Sequence, residues 1–135
     1  MSATNIIDAP TADRTGRAGN VALWVLQLAA AAMLAMAGLA KLSSDPAMVG
    51  LYDAIGVGQW FRYLTGILEV AGALLLVVPR FAGLGALIVA PVMLGAVLVH
   101  LFVVGGSPVV PLVLLVVLAI IAYARRERTL RLVGS

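Results

Sequence analysis

The chain has 135 residues, 63% of them hydrophobic and 11% charged, with a formal net charge of +3. Soluble domains carry roughly a quarter of their residues as charges, so this composition excludes an ordinary soluble domain and indicates a membrane protein. The absence of cysteine and the single histidine exclude disulfides, thiol redox chemistry, iron–sulfur ligation and a multi-histidine metal site within one copy.

Residues 1–20 are polar and contain Pro10, Gly16 and Gly19; they are expected to form a disordered cytoplasmic tail. The first apolar run, 21–42, is alanine-rich, with an amide at Gln27 and Lys41 near its end. Trp24 suits the headgroup level. The run Ala35-Met36-Ala37 before Gly38 has the form of a signal-peptidase site. The apolar region is longer than the roughly 7–15 residues of a signal peptide, so it is read as a retained span.

Residues 43–59 are more polar. Asp45 and Pro46 can cap and open a short helix, and Met48, Val49, Leu51, Tyr52 and Ile55 give it one apolar side. The spacing predicts a helix lying in the membrane interface and ended by Gly56 and Gly58. A second span is predicted over 60–78, stopped by Pro79. A third covers 81–104, with Pro91 expected to kink it. Gly105, Gly106, Ser107 and Pro108 make a turn, with Ser107 as cap and Pro108 opening a fourth span over 108–124. Residues 125–135 form a basic tail.

These elements predict an all-α, integral membrane four-helix bundle with a short interfacial helix between helices 1 and 2. Placing both termini in the cytoplasm puts Arg14, Arg17, Arg80, Arg125, Arg126, Arg128 and Arg131 inside and leaves Lys41 and Arg62 outside, as the positive-inside rule requires. Such flanking arginines set topology; no compact basic domain exists to bind nucleic acid.

Glu69 stands near the middle of the second span, about 10 Å below Arg62. A carboxylate at that depth is costly and marks either function or a structural ion pair. His100 lies about 6 Å inside the end of the third span, and Lys41 lies at the end of the first. All three fall in one half of the bilayer, so the geometry allows a Lys41–Glu69–Arg62–His100 cluster. Arg62, Gly66, Glu69 and Ala73 share one helix face. Gly66 and Gly72 allow close helix approach or leave room for a ligand, and Tyr63, Tyr52 and Asp53 stand near the top.

Glu69, His100, Lys41, Arg62 and Tyr63 are therefore the candidate ligand-contact or proton-handling residues. No catalytic residue or metal site is assigned. A bis-histidine haem would need a second histidine from another subunit. Gln27 lies in the other half and is expected to bond across helices. Ala82, Ala86 and Ala90, with Gly83, Gly85 and Gly95, form a small-residue stripe suited to tight packing or a dimer contact. The sequence carries no glycine-rich phosphate loop, zinc motif or nucleophile triad.

Several of these stretches resemble a known family. Gln27 through Ala37-Gly38-Leu39-Ala40-Lys41-Leu42, the segment Trp60-Phe61-Arg62-Tyr63-Leu64-Thr65-Gly66-Ile67-Leu68-Glu69-Val70-Ala71-Gly72, and His100-Leu101-Phe102 with Gly105-Gly106-Ser107-Pro108 resemble the DoxX-like bacterial membrane proteins over residues 21–126. The resemblance implies a small four-helix, multi-pass protein of the bacterial plasma membrane. It also implies a link to membrane redox complexes, since the family is named for a subunit associated with a thiosulfate:quinone oxidoreductase. With no cysteine and no second domain for a flavin or metal, the chain is expected to act as an accessory or quinone-facing subunit. No cofactor is expected within the chain itself, and a quinone is the ligand this reading admits. Its partners would be the lipid bilayer, a redox subunit or further copies of itself. Two other readings stand beside it: a small-solute transporter or exporter working as an oligomer, and a structural or assembly protein whose ion pair only sets the fold.

Overall fold

A computed structural model describes the backbone of residues 3–134 and the side chains of residues 16–132. It is all-α. The described residues form six helices: α1 (Ala3–Leu42), α2 (Pro46–Ile55), α3 (Gln59–Leu76), α4 (Ala82–Phe102), α5 (Val109–Ala124) and α6 (Arg126–Gly134). The simple four-helix bundle expected from the sequence is therefore corrected. Among the described residues, only the Gly16–Leu42 part of α1 and all of α4 are long and apolar enough to cross a membrane alone. The pair Val109–Ala124 and Arg126–Leu132 makes a third crossing only as a span bent by 67°.

The reasons lie in the sequence of each helix. α3 carries Gln59, Arg62, Thr65 and Glu69 within its 18 residues. α5 has 16 residues, about 24 Å at ~1.5 Å per residue, short of a hydrocarbon core of ~30 Å. The orientation deduced from four equal crossings falls with that count. α1 begins at Ala3 and continues into the apolar run. The basic tail is helical as α6.

Local signals explain several ends. The Asp45 side chain accepts from the Ala47 amide at 2.9 Å, Pro46 occupies the first turn, and Gly56 closes α2 in the left-handed region at φ 83°. α4 runs unbroken through Pro91. Pro108, not Ser107, stands at the cap of α5, so the helix starts one residue later than expected, and the Ser107 hydroxyl accepts from the Val109 amide at 3.3 Å.

α3 packs between α1 and α4, α5 packs on α4 and α1, and α2 lies against α3. The shared core holds Leu34 of α1, Leu76 of α3, Val89 of α4, and Leu118 and Ile121 of α5, all with no exposed surface. Lipid is as apolar as these side chains, so helices are held by close contact rather than by escape from water. Small residues supply that contact. A Cβ on Gly38 would lie 2.9 Å from the Gly66 carbonyl, and one on Gly85 would lie 2.9 Å from the Gly72 carbonyl. Ala82 and Ala86 of the small-residue stripe are buried in the same core. The outer faces keep large apolar side chains exposed, among them Val25, Met36, Leu74, Leu101 and Ile120, as a lipid-facing surface demands.

Candidate functional site

On α3 the buried positions are Arg62, Thr65, Gly66, Glu69, Gly72, Ala73 and Leu76. This is one helical face at spacings of three and four, and its polar members fall in the half nearest α2. Glu69 has no exposed surface, and its Oε1 pairs with the Lys41 ammonium, whose side chain is 11% exposed. The pair bridges α1 and α3. Its other carboxylate oxygen, Oε2, is buried and has no hydrogen-bond partner.

Arg62 does a different task. One guanidinium nitrogen donates to the Lys41 carbonyl, and Nε donates to Gln59 Oε1 at 2.7 Å. Gln59 in turn donates to the Val49 carbonyl at 3.1 Å and to Asp53 at 2.8 Å. Arg62 thus ties the end of α1 and the start of α3 to α2. It also lies 4.3 Å over the ring of Tyr63, which is 43% exposed on the outer surface.

Next to the ion pair, the helices leave a cavity of about 640 Å³. Lys41, Tyr52, Thr65, Glu69, His100 and Ser107 are its polar lining residues; Leu51, Phe61, Leu68, Val92, Val99 and Leu114 are among its apolar ones. The apolar side of α2, with Met48, Leu51, Tyr52 and Ile55, covers it. The volume and the apolar lining with few polar groups match a small-molecule site. Gly95 opens on this space, and a Cβ there would meet nothing within 4 Å.

The structure therefore brings Lys41, Glu69 and His100 to one cavity. It sets Arg62 beside them as a brace, and it leaves Tyr63 outside. His100 Nδ1 lies 2.8 Å from the Ala96 carbonyl of its own helix. Tyr52 and Thr65 join the site through a hydrogen bond of 2.6 Å. Burial pushes the Tyr52 phenol above its ordinary pKa, so it keeps its proton. Thr65 was not singled out from the sequence. Its only signal was a position one turn before Glu69 on the same face.

A second buried polar junction lies at the other end of the core. Gln27 is fully buried; its Nε2 donates to the Leu76 carbonyl at 2.9 Å, and its Oε1 accepts from Arg125 Nε at 2.8 Å. The amide thus closes α1 onto the end of α3 and the α5–α6 corner. It does not line the cavity.

Among known proteins, residues 25–124 match the DoxX-like family. No curated protein and no solved structure matches the chain. The match covers most of the chain and includes Lys41, Glu69 and His100. The chain belongs to the DoxX-like family and is a bacterial, multi-pass integral membrane protein whose buried glutamate forms an ion pair.

Proposed function

We propose that this DoxX-like protein is a quinone-binding accessory subunit of a membrane redox system. The observation that carries the reading is the cavity of about 640 Å³ with the Lys41–Glu69 pair on its wall and Glu69 Oε2 unpartnered. A structural ion pair alone needs no empty space beside it. A flat, apolar ring with polar atoms at its ends suits walls that are apolar except around Glu69, His100 and Tyr52. The chain holds no cysteine, so electrons would pass between the ligand and a partner subunit.

The test is binding of tetramethyl-1,4-benzoquinone and its hydroquinone to the full chain in lipid nanodiscs. Gly95→Leu adds bulk to the cavity without replacing a polar group. It is expected to weaken binding of both forms at least about tenfold, since roughly 1.4 kcal/mol is tenfold in affinity. Absence of binding to the wild type, or equal binding by Gly95→Leu, would remove this reading.

A further inference from the structure

The polar groups around the cavity are unequal in what they offer a ligand. Glu69 is enclosed, Lys41 occupies Oε1, and Oε2 has no donor. In its ion pair with the Lys41 ammonium Glu69 is a carboxylate, and an ionised carboxylate oxygen only accepts. His100 Nδ1 faces the Ala96 carbonyl at 2.8 Å; a carbonyl cannot donate, so Nδ1 carries the hydrogen. In the neutral ring Nε2 is then an acceptor. The Thr65 hydroxyl lies 3.1 Å from the Phe61 carbonyl and 3.2 Å from the Arg62 carbonyl, so its proton goes to the backbone. Tyr52 must therefore donate to Thr65 across their 2.6 Å contact, and what it keeps for a ligand is a lone pair.

Three of the polar groups thus present acceptors. Lys41 brings donors, but it is paired with Glu69 and partly exposed, so its other N–H groups can turn to water. The hydroxyl of Ser107 accepts from the Val109 amide and stays free to donate. Glu69 has no such recourse, because it is wholly enclosed.

Resting on the quinone reading above, we infer that the cavity selects the reduced, dihydroxy form of its aromatic ligand over the oxidised, dicarbonyl form. A hydroquinone brings two O–H donors to acceptors that lack them. A quinone brings two carbonyls, and an acceptor set against the enclosed Glu69 carboxylate leaves both unsatisfied. By linkage, tighter binding of the reduced form holds the bound ligand toward the quinol.

The experiment is anaerobic titration of the full chain in phosphatidylcholine nanodiscs with tetramethyl-1,4-hydroquinone and, separately, with its quinone. The hydroquinone is expected to bind at least about tenfold tighter, the effect of a hydrogen bond to a charged group. In Glu69→Gln, Lys41 keeps Oε1 and the amide nitrogen replaces Oε2, so a donor stands where an acceptor stood. The preference should then shrink below about threefold or invert. Equal affinity for the two forms in the wild type, or tighter binding of the quinone, overturns the inference and leaves the quinone reading standing. Binding of neither form overturns both. An undiminished preference in a folded Glu69→Gln overturns the assignment to Glu69. The wild-type comparison decides the redox preference by itself if that variant does not fold.

Discussion

Two buried polar junctions occupy opposite ends of this protein, and they differ in how fully the protein satisfies and surrounds them. At one, the Gln27 amide is enclosed, its carbonyl and amine ends are both bonded, and it joins three parts of the chain. Gly85 and Gly72 bring α3 and α4 into backbone contact in the same half. At the other, Lys41 and Glu69 also join two helices, but one carboxylate oxygen is left over and a cavity opens beside it. Both sites are costly in hydrocarbon. Depth in the membrane therefore does not tell the two junctions apart. What separates them is whether the space beside the polar group is filled by the protein itself. Arg125 also keeps one buried guanidinium nitrogen without a partner, yet it does not line the cavity.

The sharpest way to break the contrast is Lys41→Met. It leaves Glu69 enclosed and unpaired, and removing one member of a buried ion pair costs about 3–5 kcal/mol. Thermal denaturation in detergent should show the loss, and the double variant Lys41→Met/Glu69→Gln should recover most of it. A loss below about 1 kcal/mol would mean that the pair is solvated and the site open.

Gln27→Leu probes the closed end. It strips a partner from the Leu76 carbonyl and from Arg125. The expected cost is about 2–3 kcal/mol, since buried groups left unsatisfied carry their desolvation penalty. Ligand affinity should stay within about twofold of wild type. A specific loss of binding with unchanged stability would erase the distinction between the two ends.

The finest comparison lies on α4, where two glycines sit on either side of the contrast. Gly85→Ala drives a methyl to 2.8 Å from Leu75 Cβ and 2.9 Å from the Gly72 carbonyl, and overpacking of this kind costs about 1–3 kcal/mol. Gly95→Ala places its methyl in open space and should be neutral, or more stable by up to about 1 kcal/mol from helix propensity. Equal melting temperatures for the two variants would mean that the cavity beside Gly95 is closed in the protein.

Several features were legible in the sequence because they depend on local chemistry. Asp45, Pro46 and Gly56 mark the ends of α2 through capping and backbone freedom, whatever surrounds them. The need of Glu69 for a partner follows from its type and its apolar flanks, and counting residues from helix ends brings Lys41 to the same depth. Counting alone does not show which groups Arg62 bonds. Its reach would have allowed contact with Glu69, but its bonds to the Lys41 carbonyl and Gln59 depend on where α2 comes to rest. Tyr63 and Tyr52 show the same limit: the first was nominated and lies outside, while the second, named only as a residue near the top, lines the cavity.

Composition and the order of apolar runs determined by themselves that this chain enters a membrane, that it is helical, and that Glu69 must be given a partner. They did not determine the number of crossings, because α3 carries polar residues along its length and α5 reaches the length of a span only together with α6. Tertiary structure alone decided which cation meets Glu69, that one of its oxygens goes without, and that a cavity lies alongside. Those outcomes arise from the distances between helices, and such distances are set by glycines and side chains far apart in the chain acting together.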